Sequence, residues 1–314
     1  MIQVLLLNEG KVFSGGEELL DQPGTRWIDV LHPTEEEMRR LGDRFGLHKL
    51  AIEDCLHLDQ RPKLEEYPNH QFIVLQGFTS ESKDACELTL HEHHFFLGPD
   101  WLISVHELRF EGLDTVRQRV QREPQATFER GVDFLLYLLA DALMDRNFPI
   151  LDKFNDELED LESAVFENPQ PEHLQRIFEL KRALVTVRRV LSPQRDVLSL
   201  LTRRGIPNVG ERTALYFRDV YDHLVRLHEQ IDAVRDLLGN VMDGYLSMIA
   251  NRTNDITKQL TIFSTIFLPL SFITGFFGQN FDFLSQRGFF WLMMVSVVGL
   301  PVGLVFWFKS KQWI

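Results

Sequence analysis

Two long uncharged stretches near the C-terminus limit the folds open to this chain. Gln259–Phe281 runs 23 residues without a formal charge and Gly288–Phe308 another 21. A helix rises 1.5 Å per residue, so about 20 residues cross a hydrocarbon layer of about 30 Å. Each run is long enough to span, and the pair predicts a hairpin of two transmembrane helices. Two buried helices of a large soluble core would explain less well why both outer ends are basic. Arg252 and Lys258 precede the first run, and Lys309 and Lys311 follow the second. The positive-inside rule then puts both termini in the cytoplasm and the loop 280–287 outside, with Trp291, Trp307 and Trp313 suited to the interfaces.

The rest of the chain reads as a soluble body with its own core, since overall only 44% of residues are hydrophobic and 25% are charged. Up to residue 250 there are 44 of the 46 acids but only 28 of the 33 bases, a net charge of −16. Such a surface repels nucleic acid and attracts cations. The opening MIQVLLLNEG has neither the charged start nor the apolar core of a signal peptide. Cys55 and Cys86 are the only cysteines and form no CxxC pair, which suits a reducing compartment.

Residues 1–110 read as an α/β domain. Strands are predicted at 2–7, 26–30, 71–78, 86–98 and 101–106, and a helix start at Thr34, which caps Glu35-Glu36-Glu37. No phosphate-binding glycine motif and no catalytic arrangement is present. The run His91-Glu92-His93-His94 invites a zinc-enzyme reading, but strand alternation lets at most two imidazoles converge, so an exposed strand face is expected. Residues 111–209 are helical and include a hairpin with an acidic arm, 152–169. Its second arm, from 172, is expected to stop at Pro193. The acidic arm fits a solvated face as well as a cation-concentrating one.

From residue 210 the apolar positions Val220, Leu224, Leu227, Ile231, Val234, Leu238, Val241, Tyr245 and Met248 alternate steps of four and three, a heptad seam. No proline interrupts before Pro269, so one helix of about 65 residues should run from a stalk at 210–258 into the first span at 259–279. A seam of that length, and two spans too few to enclose a pore, call for a homo-oligomer around an axis. In the first span Asn254, Thr257, Thr261, Ser264, Leu268, Ser271 and Gly275 follow steps of three and four. This small, polar, uncharged stripe serves either dry helix packing or the wall of a water-filled path.

The stretches 27-WIDVLHPTEEE-37, 47-LHKLAIEDCLHLDQRPKLEEY-67, 251-NRTND-255, 267-FLPLSFITGFFGQN-280 and 309-KSKQWI-314 resemble the CorA family of divalent-cation channels over essentially the whole chain. The resemblance implies a homopentamer in a bacterial inner membrane. Its cytoplasmic α/β/α funnel domain would lead into a stalk helix, two membrane helices (the second at 288–308) and a basic tail at 309–314. It implies passive transport of Mg²⁺, with Co²⁺ and Ni²⁺, and no enzymatic activity. The family's Gly-Met-Asn mouth falls on Gly278, Gln279 and Asn280. Its pore-lining positions fall on Asn254, Thr257, Leu260, Leu268 and Ser271, to which the stripe adds Ser264. Regulatory metal positions fall on Asp54 and Asp243. Gln279 stands where methionine is usual, and the loop lacks the family's acidic run after the motif. That keeps a Zn²⁺ transporter of the ZntB type, or a non-conducting membrane-anchored metal sensor, as alternatives.

Overall fold

A computed structural model of the chain describes residues 1–57, 60–109, 111–279 and 287–313. It divides into two compact units. Met1–Ala164 and Gln170–Met242 form the first; Val165–Pro169 and Asp243–Ile314 form the second.

The first unit is an α/β/α sandwich. Strands β1 (Ile2–Asn8), β2 (Lys11–Gly15), β3 (Thr25–Leu31), β4 (Lys63–Glu66), β5 (Gln71–Thr79), β6 (Thr89–Leu97) and β7 (Trp101–His106) form one sheet in the order β2-β1-β3-β7-β6-β5-β4. Among the described strands, only β3 and β7 pair in parallel. Gln71–Phe78 is buried at every position, as a strand covered on both faces must be, and its near-continuous apolar run announces this. On one face α1 (Glu35–Phe45) and α2 (Lys49–Leu56) bring Met38, Leu41, Ala51 and Cys55 onto Val4, Ile28, Phe72, Val74, Phe96 and Val105. On the other, α4 (Val132–Asp145) packs on β3, β5, β6 and β7, with α3 (Glu111–Arg122) beside it. The Thr34 cap closes as expected, its hydroxyl accepting from Glu37 N while the Glu37 carboxylate accepts from Thr34 N, and Gly46 ends α1 at φ 65°.

Strands β2 and β4 were not anticipated. Their sequences, KVFSG and KLEE, are polar edge strands without the alternation that marks a half-buried one. The expectation of an exposed histidine face is overturned. His91, His93 and His94 are 8%, 2% and 3% exposed, because helices cover β6 on both faces, α1 and α2 on one and α4 on the other.

Helices α5 (Phe148–Glu167) and α6 (Pro171–Leu201) make the acidic hairpin. Pro193 does not end its second arm but sits inside α6. Proline removes one intrahelical bond, and the buried Leu191, Gln194, Val197, Leu198 and Leu201 hold the helix across the gap. Gln194 also serves the sheet. β4 pairs with β5 only as far as Val74, so the Gln76 N–H beyond it has no strand partner on that side, and it donates to Gln194 Oε1 at 3.0 Å. The Phe78 N–H donates to Asn147 Oδ1 at 3.4 Å.

Helix α7 runs unbroken from Glu211 to Phe277, 67 residues, on the order of 100 Å. Val220, Leu224, Leu227, Ile231, Val234, Leu238, Val241 and Tyr245 are all buried within one copy of the chain. This corrects one step of the sequence argument, since the seam does not by itself require a second copy. Within the first unit α7 meets α6 through Arg188–Asp232 at 2.5 Å and Ser192–His228 at 3.2 Å. It meets α4 through the rings of Phe134, Tyr137 and Tyr216. Helix α8 (Arg287–Ser310) is the second long apolar helix.

Candidate ion pathway and cation-binding residues

The most apolar windows of α7 and α8, each long enough to cross a membrane, are not buried inside the chain. Among their exposed side chains are Phe263, Phe267, Phe272, Trp291, Val295 and Phe306. Exposed apolar surface of this extent fits lipid or neighbouring helices, not water. Asn254, Thr257, Leu260, Ser264, Leu268 and Ser271 are all exposed on α7. At 3.6 residues per turn they fall within an arc of about 120°. The hydroxyls of Thr257 and Thr261 donate to the carbonyls four residues back, Thr253 O and Thr257 O, both at 2.8 Å.

The helix closes at Gly278, whose N–H donates to Thr274 O at 2.9 Å, and Gln279 N follows to Phe276 O at 3.2 Å. A Cβ on residue 278 would approach the Thr274 carbonyl oxygen to 3.0 Å, so the tight finish favours glycine. Gln279 is exposed; Asn280 lies outside the described residues.

Asp54 and Asp243 belong to different units. The Asp54 side chain is about three-quarters buried, its Oδ2 2.6 Å from Lys63 Nζ, which also reaches Glu65 Oε1 at 2.9 Å. Burial alone would lower the Lys63 ammonium, but its bonds to Asp54 and Glu65 outweigh that and raise its pKa. Asp243 is exposed on α7. Its neighbour Gly244 leaves room for Phe166, whose ring would lie 3.2 Å from a Cβ there.

A third group of candidate cation ligands was not singled out from the sequence. Asp141 and Asp145 on α4 and His223 on α7 place their ligating atoms within 4.8 Å of one another. His223 Nδ1 lies 3.2 Å from Asp145 Oδ1 and 3.6 Å from Asp141 Oδ1, and Asp219 Oδ2 is 3.8 Å from His223 Nε2. Burial, together with Asp145 nearby, pushes the Asp141 carboxyl up to about 6. The available signal was two i, i+4 pairs, Asp141/Asp145 and Asp219/His223, each setting two donors on one helix face.

The family model described as CorA-like Mg²⁺ transporter protein matches residues 23–310. The chain belongs to this family. Its members are transporters, so the CorA-like chain is a transport protein of the membrane and not an enzyme. The cobalt/magnesium transport protein CorA of Thermotoga maritima is 38% identical over 94% of this chain and 85% of its own length. The zinc transport protein ZntB of Yersinia pseudotuberculosis is 26% identical over 92% and 88%. The complete structure of the CorA magnesium transporter from Methanocaldococcus jannaschii superposes with a TM-score of 0.86 at 26% identity, covering 100% of this chain and 99% of that one.

Proposed function

We propose that the chain assembles as a homopentamer in a bacterial inner membrane and conducts divalent cations passively, chiefly Mg²⁺ and also Co²⁺ and Ni²⁺. Both termini would be cytoplasmic. The observation that carries this reading is the uncharged stripe Asn254–Ser271 on a helix that runs unbroken from the first unit's core into the membrane. Five such stripes around an axis would enclose a path that two spans of a single copy cannot. Mg²⁺ is small, prefers six oxygens and dehydrates reluctantly. Amide oxygens at Gln279 and Asn280 suit its water shell, and hydroxyls and the Asn254 amide suit it along the path. Leu260 and Leu268 supply an apolar constriction that closes by dewetting. Asp54 and Asp243, and now Asp141, Asp145 and His223, are the positions at which internal divalent ions would hold the ring shut. Zn²⁺ is the second reading, favoured by Gln279 where methionine is usual and by the likeness to a zinc transport protein. Uptake of Mg²⁺, Co²⁺, Ni²⁺ and Zn²⁺ into liposomes carrying the pure chain tests both. Mg²⁺ flux blocked by Leu268→Trp supports the first; flux of Zn²⁺ alone supports the second; none of any ion refutes conduction. A monomeric mass in mild detergent, or labelling of a C-terminal cysteine from outside, refutes the assembly.

A further inference from the structure

The sheet contains a notch where β6 outruns its neighbour, since β7 pairs with β6 only from His93 onward. A cavity of about 210 Å³ lies there, lined by Cys55, His91, Glu92, His94, His106 and Glu107 among others. Its polar lining is almost wholly imidazole, thiol and carboxylate, the donor types that hold transition metals.

His94 is the informative residue. It is 3% exposed, and its Nδ1 is buried with no hydrogen-bond partner among the described residues. A buried nitrogen left unsatisfied costs roughly 1–3 kcal/mol, so it calls for an occupant. Its other nitrogen, Nε2, lies 3.6 Å from Glu92 Oε2. That carboxylate is itself fixed, accepting from Gln76 Nε2 at 3.1 Å and Gln60 N at 3.3 Å. A carboxylate beside one imidazole nitrogen favours the tautomer protonated there and leaves the opposite lone pair for a metal, an arrangement common behind metal-bound histidines. His94 shares a sheet face with Val105, its register partner, and Cys55 packs in the same core cluster as Val105. His91 points to the opposite face, and its Nδ1 is excluded from this set.

We propose that this cavity binds a borderline divalent cation, Zn²⁺, Co²⁺ or Ni²⁺, with His94 Nδ1 and Cys55 Sγ as protein ligands and cavity waters completing the shell. Glu92 is a positioning residue. Mg²⁺, a hard ion that prefers oxygen, does not fit a thiol–imidazole pair. The Cys55 side chain is itself buried and lines the cavity. Binding then forms the S–metal bond, breaks S–H and releases one proton to solvent, and affinity rises with pH. The site lies wholly within the first unit and does not depend on conduction by the spans.

The test uses the full chain in detergent micelles with substoichiometric Zn²⁺. X-ray absorption should give a sulfur neighbour at about 2.3 Å and imidazole nitrogen at about 2.0–2.1 Å. A shell of nitrogen and oxygen alone overturns the proposal without any variant. With Co²⁺, a thiolate-to-metal charge-transfer band should appear, persist in Cys86→Ser and vanish in Cys55→Ser; the reverse pattern overturns it. Glu92→Gln should keep the band position but weaken Co²⁺ binding about ten- to a hundredfold. Unchanged affinity there removes Glu92 from the site.

Discussion

The Lys63 ammonium lies 2.6 Å from Asp54 Oδ2, with both side chains about three-quarters buried. Any cation that binds Asp54 must compete with this lysine. In Lys63→Ala the carboxylate is left without its counter-charge, so Mg²⁺ protection against limited proteolysis should set in at lower Mg²⁺, by several-fold. Asp54→Asn with Asp243→Asn should abolish that protection. Identical titrations in all three proteins would place the regulatory ion elsewhere.

At the mouth, Asn280→Ala should remove most divalent flux in liposomes, because the proposed filter depends on an amide oxygen at that position. Gln279→Met should keep flux and shift preference towards Mg²⁺ over Zn²⁺. Parental conduction by Asn280→Ala would mean that the selective residues lie elsewhere on the path.

Cation binding at Asp141, Asp145 and His223 should depend on pH with a definite sign. The Asp141 carboxyl takes its proton near 6, and proton and metal compete for the same oxygen. Affinity for Mn²⁺ or Mg²⁺ should therefore be full above pH 7 and fall as pH drops through 6. Asp141→Asn should flatten the profile, measured by calorimetric titration between pH 5 and 8.

Acid stability supplies a second pH test. His70 is 1% exposed and neither ring nitrogen has a partner among the described residues; burial, with His48 a smaller cause, lowers its pKa to about 4. Between 4 and the ordinary 6.5 the unfolded chain binds a proton that the folded chain refuses. The folded state therefore loses stability as pH falls through that window, by up to roughly 3 kcal/mol for this one residue. His70→Phe should remain more stable than the parent at pH 4.5, read as thermal midpoint in detergent. An equal acid loss in the variant would assign the effect to other histidines.

Truncating Gln194 tests the helix–sheet link. Gln194→Ala leaves the buried Gln76 N–H unpaired and should cost roughly 1–3 kcal/mol. Gln194→Glu, which keeps an acceptor, should recover part of the loss near neutral pH. A melt unchanged in Gln194→Ala would show that the bond at 3.0 Å contributes little.

Much of this architecture was legible because its signals are long and repetitive. The two spans, the continuous α7 and the apolar strands β1, β3, β5 and β7 follow from runs and periods that no single residue can spoil. Polar edge strands such as KLEE carry no such signal, since their place is set by neighbours and not by burial. Pro193 misled because a local rule was outweighed by tertiary anchoring on both sides. His91–His94 misled because polarity was read as exposure, whereas the helices packed on both faces of β6 decide burial. The heptad seam was legible, but its partner was not. Periodicity reveals that a face is covered and is silent on whether the same chain covers it. The Asp141–His223 cluster joins residues 82 positions apart, a distance over which a sequence pattern gives no proximity.

The hydroxyl bonds along α7 have a consequence for the sign of the permeating charge. Thr257 and Thr261, on the stripe, each direct their proton to a carbonyl within the helix. Their oxygens therefore present lone pairs outward and no hydrogen. Water around a cation turns its hydrogens away from the ion, towards such oxygens; water around an anion turns oxygens outward and finds no donor in these hydroxyls. In the proposed path these hydroxyls would favour positive over negative ions without a charged residue on the wall.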